Sequence, residues 1–197
     1  MRALLLIILV VFPVFLQAQV FKAGIVAGPT FSQIQGDEVA GFHKFGFQAG
    51  VISDVYINDL FSWGIEILYS QRGSRPSFGV IDPSSDFRIK MDYVEIPVLI
   101  KYNDKNGLTG YVGASFNRLL RAVFIDALDN EDPFFFENPQ RPTKNTDIQG
   151  IIGLSYSTSP VFNLGVRWNR GITFFRTNAF SNFRNQGMYH NLSLIHI

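Results

Sequence analysis

The chain has 197 residues, a formal net charge of +1 and no cysteine. The absence of cysteine excludes a disulfide framework and a thiolate metal site, and the near-zero charge gives no electrostatic footprint for nucleic acid. Charged residues make up 17% of the chain, which holds 20 phenylalanines, whereas soluble domains carry about 25% charged residues. The composition therefore argues against an ordinary soluble domain.

The N-terminus predicts a secretory signal peptide. Met1 and Arg2 precede an apolar run from Ala3 to Leu16, and Gln17-Ala18-Gln19 follows, which is the charged, apolar and small-residue order of such signals. The apolar run is shorter than the roughly 20 residues of a membrane-spanning helix, so a retained anchor is the weaker interpretation. We expect a signal peptide over residues 1–18, cleaved after Ala18, and one domain over residues 19–197.

Eight later segments alternate apolar and polar residues with a period of two, as strands with one apolar face do. They begin near Phe21, Phe45, Phe61, Tyr93, Gly110, Asp147, Phe162 and Met188. Pro97 in the fourth segment removes a ladder hydrogen bond and predicts a bulge. The fifth segment is expected to slip register at Arg118-Leu119-Leu120-Arg121.

The connections between these segments alternate in length. Short ones lie at residues 57–59, 103–107 and 158–160, and long ones at residues 33–43, 73–90, 122–146 and 172–187. Outer-membrane barrels show this alternation, with turns in the periplasm and loops outside. No stretch after the signal approaches 18 apolar residues, so helical spans are excluded. The sequence predicts an all-β, eight-stranded antiparallel up-and-down transmembrane β-barrel in the outer membrane of a diderm bacterium.

Aromatic residues near both ends of the apolar face predict two rings at the lipid–water interfaces. Near the short turns these are Trp63, Tyr102, Tyr156 and Phe162, and near the long loops Phe31, Phe45, Tyr69 and Trp168. The alternative is that they form the core of a β-sandwich. A sandwich would not need charged residues on its other face.

That other face carries a candidate polar network inside the barrel. By parity its members are Glu66, Arg72, Glu95, Lys101 and Arg167. Unpaired charges there would cost several kcal/mol each, so we expect a paired network with Glu66 and Arg167 as central partners. An eight-stranded barrel is just wide enough for its inward side chains to fill it. We therefore expect a plugged barrel that does not conduct as a porin does, with a proton or ion path as the alternative.

The long loops hold the candidate contact residues. These are Phe134, Phe135 and Phe136 beside clustered carboxylates, and Arg176, Phe180 and Phe183 in the last loop. The phenylalanine triplet either contacts a partner or membrane or packs over the barrel mouth. The carboxylates lack the glycine and spacing of an EF-hand, so solvated charge is favoured over calcium binding. We predict no metal and no cofactor.

Three segments carry a family resemblance: Glu66-Ile67-Leu68-Tyr69-Ser70-Gln71-Arg72-Gly73, Tyr93-Val94-Glu95-Ile96-Pro97-Val98-Leu99-Ile100-Lys101-Tyr102 and Arg167-Trp168-Asn169-Arg170-Gly171. They resemble the PorT-like outer-membrane β-barrel proteins of Bacteroidetes. The resemblance implies the barrel and its location. It also suggests a link to protein secretion, because the founding member is associated with a secretion apparatus.

Two functions follow as hypotheses: an accessory barrel for protein secretion or envelope assembly, or a surface barrel whose loops bind an extracellular protein or glycan. The expected partners are outer-membrane lipid and envelope proteins, with no nucleic acid, around a monomeric barrel. A lipid-modifying enzyme is the rival class. However, His190 and His196 each lie three residues from Ser193, so on a strand they face the opposite side. We expect no catalytic activity.

Overall fold

The computed structural model describes residues 20–35, 44–74, 88–126, 128, 130–132, 145–172 and 188–196. Within these residues the chain forms nine strands. They are β1 Val20–Gln35, β2 Lys44–Tyr56, β3 Phe61–Ser74, β4 Arg88–Asn103, β5 Leu108–Ile125, β6 Glu131–Asp132, β7 Thr146–Ser159, β8 Phe162–Gly171 and β9 Met188–His196. The predicted signal peptide lies outside the described residues.

The eight longer strands close into a ring of antiparallel pairs. Each pairs with its neighbour along the chain, apart from the short β6, and β9 pairs back with β1. Closure satisfies the backbone hydrogen bonds of the edge strands, which lipid could not do. The predicted up-and-down barrel is therefore confirmed, and the two-residue β6, which pairs only with β5 among the described strands, was not predicted.

The register fixes the tilt of the strands. Following paired residues around the barrel from Ala23 leads through β2 to β9 and returns to β1 at Gln33, a shear of ten residues. With strands about 4.8 Å apart and a rise of about 3.3 Å per residue, this shear corresponds to a tilt of about 40°. The lumen is consequently narrow enough for side chains to reach across it.

Tight turns join the strands at one end of the barrel. The side-chain oxygen of Asn58 accepts hydrogen bonds from the backbone N–H groups of Leu60 at 2.9 Å and Phe61 at 2.8 Å. In the next turn, Gly107 has a φ of 87° and donates to the carbonyl of Asp104 at 3.1 Å. Side chains rarely adopt this left-handed conformation, so glycine is the natural residue there. The alternation of short and long connections is confirmed.

The register slip expected in β5 is present. Asp92 pairs with Arg121 while the next residue, Tyr93, pairs with Leu119. Leu120 is therefore the extra residue of a β-bulge.

The bulge predicted at Pro97 was wrong. Pro97 pairs with Ser115 in regular register. On its other side, the β3–β4 ladder lacks pairs between Ile65–Val98 and Leu68–Glu95 but resumes in the same register. Proline removes a donor without adding a residue, so the ladder is interrupted there and the strands stay aligned.

The two faces of the barrel wall have opposite character. Ile25 is 76% exposed, and most other apolar residues on its face are also exposed. The other face buries polar and charged residues, among them Gln48, Glu66 and Arg167. This inversion fits a wall with lipid outside and side chains packed inside.

The predicted aromatic residues form two levels on the outer face. All eight are exposed except Phe162, which is half-buried. The tilt and register place the two levels about 20 Å apart along the barrel axis. This spacing approaches the apolar band of about 25 Å that outer-membrane barrels present to lipid.

Candidate functional site

The central contact of the interior is a bidentate ion pair between opposite walls. Arg167 on β8 donates from Nη1 and Nη2 to the two carboxylate oxygens of Glu66 on β3, at 2.7 and 2.8 Å. Both side chains are 1% exposed. Two parallel charge-assisted hydrogen bonds fix the geometry as well as the charge, so the pair holds the two walls in register across the lumen.

An apolar environment surrounds this pair. The ring of Tyr111 lies 5.2 Å from the guanidinium carbon of Arg167. Gly153 makes room for that ring, because a Cβ there would come within 2.4 Å of it. Two buried apolar clusters line the same level: Val26, Ile52 and Leu68, and Leu99, Tyr111 and Ile151. Low polarity strengthens the attraction between the paired charges.

A second polar layer lies nearer the long-loop end. Arg72 on β3 forms an ion pair with Glu95 on β4, and both side chains are fully buried. Asp147 on β7 accepts hydrogen bonds from Asn117 at 3.3 Å and from Gln149 at 2.9 Å. Guanidinium, amide and carboxylate groups from four strands thus pack together at this level.

A third ion pair lies near the short-turn mouth. Lys101 Nζ is 2.8 Å from Asp54 Oδ1 and donates to Asp54 Oδ2 at 3.0 Å. This pair is less buried, with side-chain exposures of 7% and 16%. It lines a polar vestibule of about 700 Å³, whose walls also include Lys22, Tyr111 and Arg167.

The structure places all five predicted interior residues inside the barrel and brings them together in these three pairs. Asp54 and Asp147 were missing from the predicted network. Their parity was the available signal, because both lie on the polar face of their strands. What parity could not supply was the partner, which depends on the register between distant strands.

The predicted loop contacts Phe134, Phe135, Phe136, Arg176, Phe180 and Phe183 lie outside the described residues. At the start of that region, Asp126 accepts hydrogen bonds from the backbone of Leu128 and Asn130, each at 2.9 Å. Its carboxylate also accepts from the Asn130 side chain at 3.1 Å. These bonds, above all those from Asn130, lower the pKa of Asp126 below its usual value.

Among the described residues, no group of three or more acidic, histidine or cysteine side chains is placed to hold a metal ion. The same residues contain no helix with the length and apolarity needed to cross a membrane.

The closed wall, its apolar outer face and its charged lining define an outer-membrane β-barrel. The model of the outer membrane protein beta-barrel domain family matches residues 17–175. The chain belongs to this family, and its location is the outer membrane, as predicted. No curated protein matches the chain.

Two solved structures illustrate the shared fold. Neisserial surface protein A is 13% identical with a TM-score of 0.56, and the match covers 89% of this chain and 97% of that one. Ail, the attachment invasion locus protein of Yersinia pestis, was solved with the heparin analogue sucrose octasulfate. It is 12% identical with a TM-score of 0.50, over 88% of this chain and 95% of Ail. At these identities the likeness concerns the fold alone.

Proposed function

We propose that this barrel is a non-conducting recognition protein that binds a partner outside the cell. Two features support the proposal. The Glu66–Arg167 pair crosses the lumen between buried apolar clusters, which leaves little room for solute. The strands also continue well beyond the outer aromatic level, and this second observation carries the proposal.

The outer extension consists of residues 88–92 of β4, residues 119–125 of β5, and β6. In β5 the strand runs from Phe116, at the outer aromatic level, to Ile125, a rise of about 20 Å along the axis. On its lumen side Met91 forms a buried core with Tyr93, the next inward residue of β4. A packed sheet above the membrane is a rigid surface for recognition, and rigid surfaces lose little entropy on binding.

The exposed side chains of the outer extension favour an anionic partner. Lys90 and Arg121 are exposed, and Arg118 lies exposed just below them on β5. Asp92 and Glu131 offset part of this charge, and Arg121 is 3.8 Å from Glu131. Ail, which shares the fold, was solved with a sulfated heparin analogue. We therefore propose an acidic glycan or protein as the partner.

Binding of cells that display the barrel to immobilised heparin tests the proposal. The double variant Lys90→Glu, Arg121→Glu should lose binding. Lys105→Glu, a similar reversal in a turn at the opposite end, is the matched control and should retain it. Equal binding by all three proteins, or none by the wild type to heparin or to extracellular matrix proteins, would contradict the proposal.

Conductance of single barrels in planar lipid bilayers tests whether the barrel is non-conducting. We expect no steady channel from the wild type, since its lumen is spanned by buried pairs. A stable conductance that disappears on salt-bridge substitution would indicate an ion path instead.

A second candidate is an accessory role in protein secretion or envelope assembly, as the PorT-like resemblance suggests. The vestibule at the periplasmic mouth supports it, because a periplasmic partner could reach Lys22 and the Asp54–Lys101 pair there. However, the resembling segments supply Glu66, Arg72, Glu95, Lys101 and Arg167, so the similarity is accounted for by interior packing. Crosslinking in intact envelopes tests this role, and a periplasmic partner that survives deletion of the long loops would support it.

We also propose that the barrel is not an enzyme. The register pairs Ser193 with Thr30 and His190 with Gln33. Residues three apart on a strand lie on opposite faces, and this spacing argues against a nucleophile and base in this pair. Phospholipase and deacylase assays on the purified barrel test the proposal, and activity that vanishes in His190→Ala would overturn it.

A further inference from the structure

A shallow apolar groove of about 620 Å³ crosses the outer wall from β3 to β8. It begins at Phe61 and Tyr102, in the periplasmic aromatic level, and ends at Trp168. The register and tilt give it a rise of about 16 Å along the barrel axis. That rise is most of the distance of about 20 Å between the two aromatic levels, and it is close to the length of one acyl chain, which covers about half of a 30 Å hydrocarbon core.

Gly110 forms the floor of the groove, and the barrel does not need glycine there. A Cβ at Gly110 would meet only the Leu154 side chain, at an ordinary 3.5 Å. The lumen-facing Gly153 differs, because Tyr111 fills the space beside it. A glycine inside a strand weakens it and often marks a site where a ligand approaches closely. The missing side chain at Gly110 keeps the groove open between Tyr102 and Leu154.

A cation stands at the periplasmic end of the groove. Lys105 is exposed in the turn between β4 and β5, the two strands that flank Tyr102 and Gly110. The carboxylate of its neighbour Asp104 accepts a hydrogen bond from the side-chain amide of Asn106 at 2.8 Å. No ion pair between described residues includes Lys105. Its ammonium group is thus available at the level where the phosphates of the periplasmic leaflet lie.

We propose that this groove retains one acyl chain of an anionic glycerophospholipid from the periplasmic leaflet, with Lys105 beside the lipid phosphate. The groove is apolar along a length close to that of one acyl chain and has a positive charge at its periplasmic end, which matches such a lipid. The site is independent of the proposed recognition function, because the groove lies between the two aromatic levels, whereas the outer extension lies beyond the outer level.

Quenching of Trp168 by brominated lipid tests the proposal. The chain has two tryptophans, and Trp63→Phe leaves Trp168 as the single reporter in the groove. The barrel is reconstituted in phosphatidylcholine with rising fractions of phosphatidylglycerol that carries brominated chains. We expect phosphatidylglycerol to be preferred at Trp168 by about fivefold, since one lysine near a membrane surface contributes about 1 kcal/mol.

Variants in the same background separate the groove from general lipid contact. Gly110→Leu should fill the groove and reduce the preference to that of random mixing, and Val112→Phe provides a second way to fill it if the first variant folds poorly. Ala49→Leu, an outward position on β2 away from the groove, is the matched control and should leave quenching unchanged. Lys105→Gln should remove the preference for phosphatidylglycerol, while brominated phosphatidylcholine still quenches Trp168.

Three results would overturn the proposal. Wild-type quenching that follows random mixing would mean that only exchanging boundary lipid touches Trp168. A preference that survives both Gly110→Leu and Val112→Phe would place the lipid elsewhere. A preference unaffected by Lys105→Gln would show that Lys105 does not contact the lipid phosphate. Heat-resistant electrophoretic mobility confirms that each variant has folded before it is assayed.

Discussion

The two faces of the barrel wall are formed by the same strands but have opposite polarity. In β3 the outward Ile65 and Ile67 are 54% and 55% exposed, while the inward Glu66 between them is 1% exposed. A soluble protein would arrange these residues the other way round. The outer face gains from lipid contact at each residue separately, whereas the inner face depends on pairing between residues of distant strands.

This difference makes the inner face the more specific one. An outward isoleucine tolerates any apolar replacement, because lipid adapts to its shape. An inward carboxylate needs one cation at one position, because a buried unpaired charge carries a large desolvation cost. Substitutions inside should therefore have larger and more selective effects than substitutions outside.

The largest effect is expected from breaking the central pair. Glu66→Gln leaves the guanidinium of Arg167 buried without its counter-charge and should destabilise the barrel by about 3–5 kcal/mol. Urea unfolding in lipid vesicles, followed by tryptophan fluorescence, measures the change. The double variant Glu66→Gln, Arg167→Met should recover much of the lost stability, because it no longer contains the uncompensated charge. Unchanged stability of the single variant would show that the pair does not stabilise the barrel.

The outer face should respond to charge according to depth. Ile65→Lys, about midway between the aromatic levels, should cost about 2–4 kcal/mol, whereas Leu108→Lys, near the periplasmic interface, should cost about 0–1 kcal/mol. Both residues are about half exposed, at 54% and 47%, so depth is the main difference between them. The same unfolding assay compares the two, and equal costs would contradict the proposed position of the membrane.

The ion pair at the periplasmic mouth should contribute less than the central one. Asp54 and Lys101 are partly exposed to the vestibule, and water weakens their attraction. A double-mutant cycle with Asp54→Asn and Lys101→Gln should give a coupling of about 1–2 kcal/mol. A coupling as large as that of Glu66 and Arg167 would show that burial does not determine which of the two ion pairs is stronger.

The smallest effect concerns Asp126, outside the membrane. Hydrogen bonds lower its pKa in the folded turn, so its carboxylate stabilises the turn above the pKa that it has in the unfolded chain. That contribution is lost as the pH falls through the lower, folded value. The protection of the Leu128 and Asn130 amides, measured as hydrogen exchange relative to the intrinsic rate at each pH, should fall on acidification, and Asp126→Asn should show low protection at every pH.

Several features could be predicted because each depends on local pattern. Period-two alternation identified all eight long strands, and parity placed Glu66 and Arg167 on the same face. The double leucine of Leu119 and Leu120 indicated the slip in β5. Pro97 misled because a missing donor was taken for an inserted residue, and only the register distinguishes the two. The two-residue β6 is too short to show a period-two alternation of apolar and polar residues.

The sequence by itself determined which residues face lipid and which face the lumen, since alternation along a strand assigns the face of each side chain without reference to any other strand. The tertiary structure alone decided that Asp54 joins Lys101, that Glu95 joins Arg72, and that Gly110 opens a groove. Those contacts depend on the registers between strands that are far apart in the sequence. No single segment contains such a register, so no segment could reveal the contacts that follow from it.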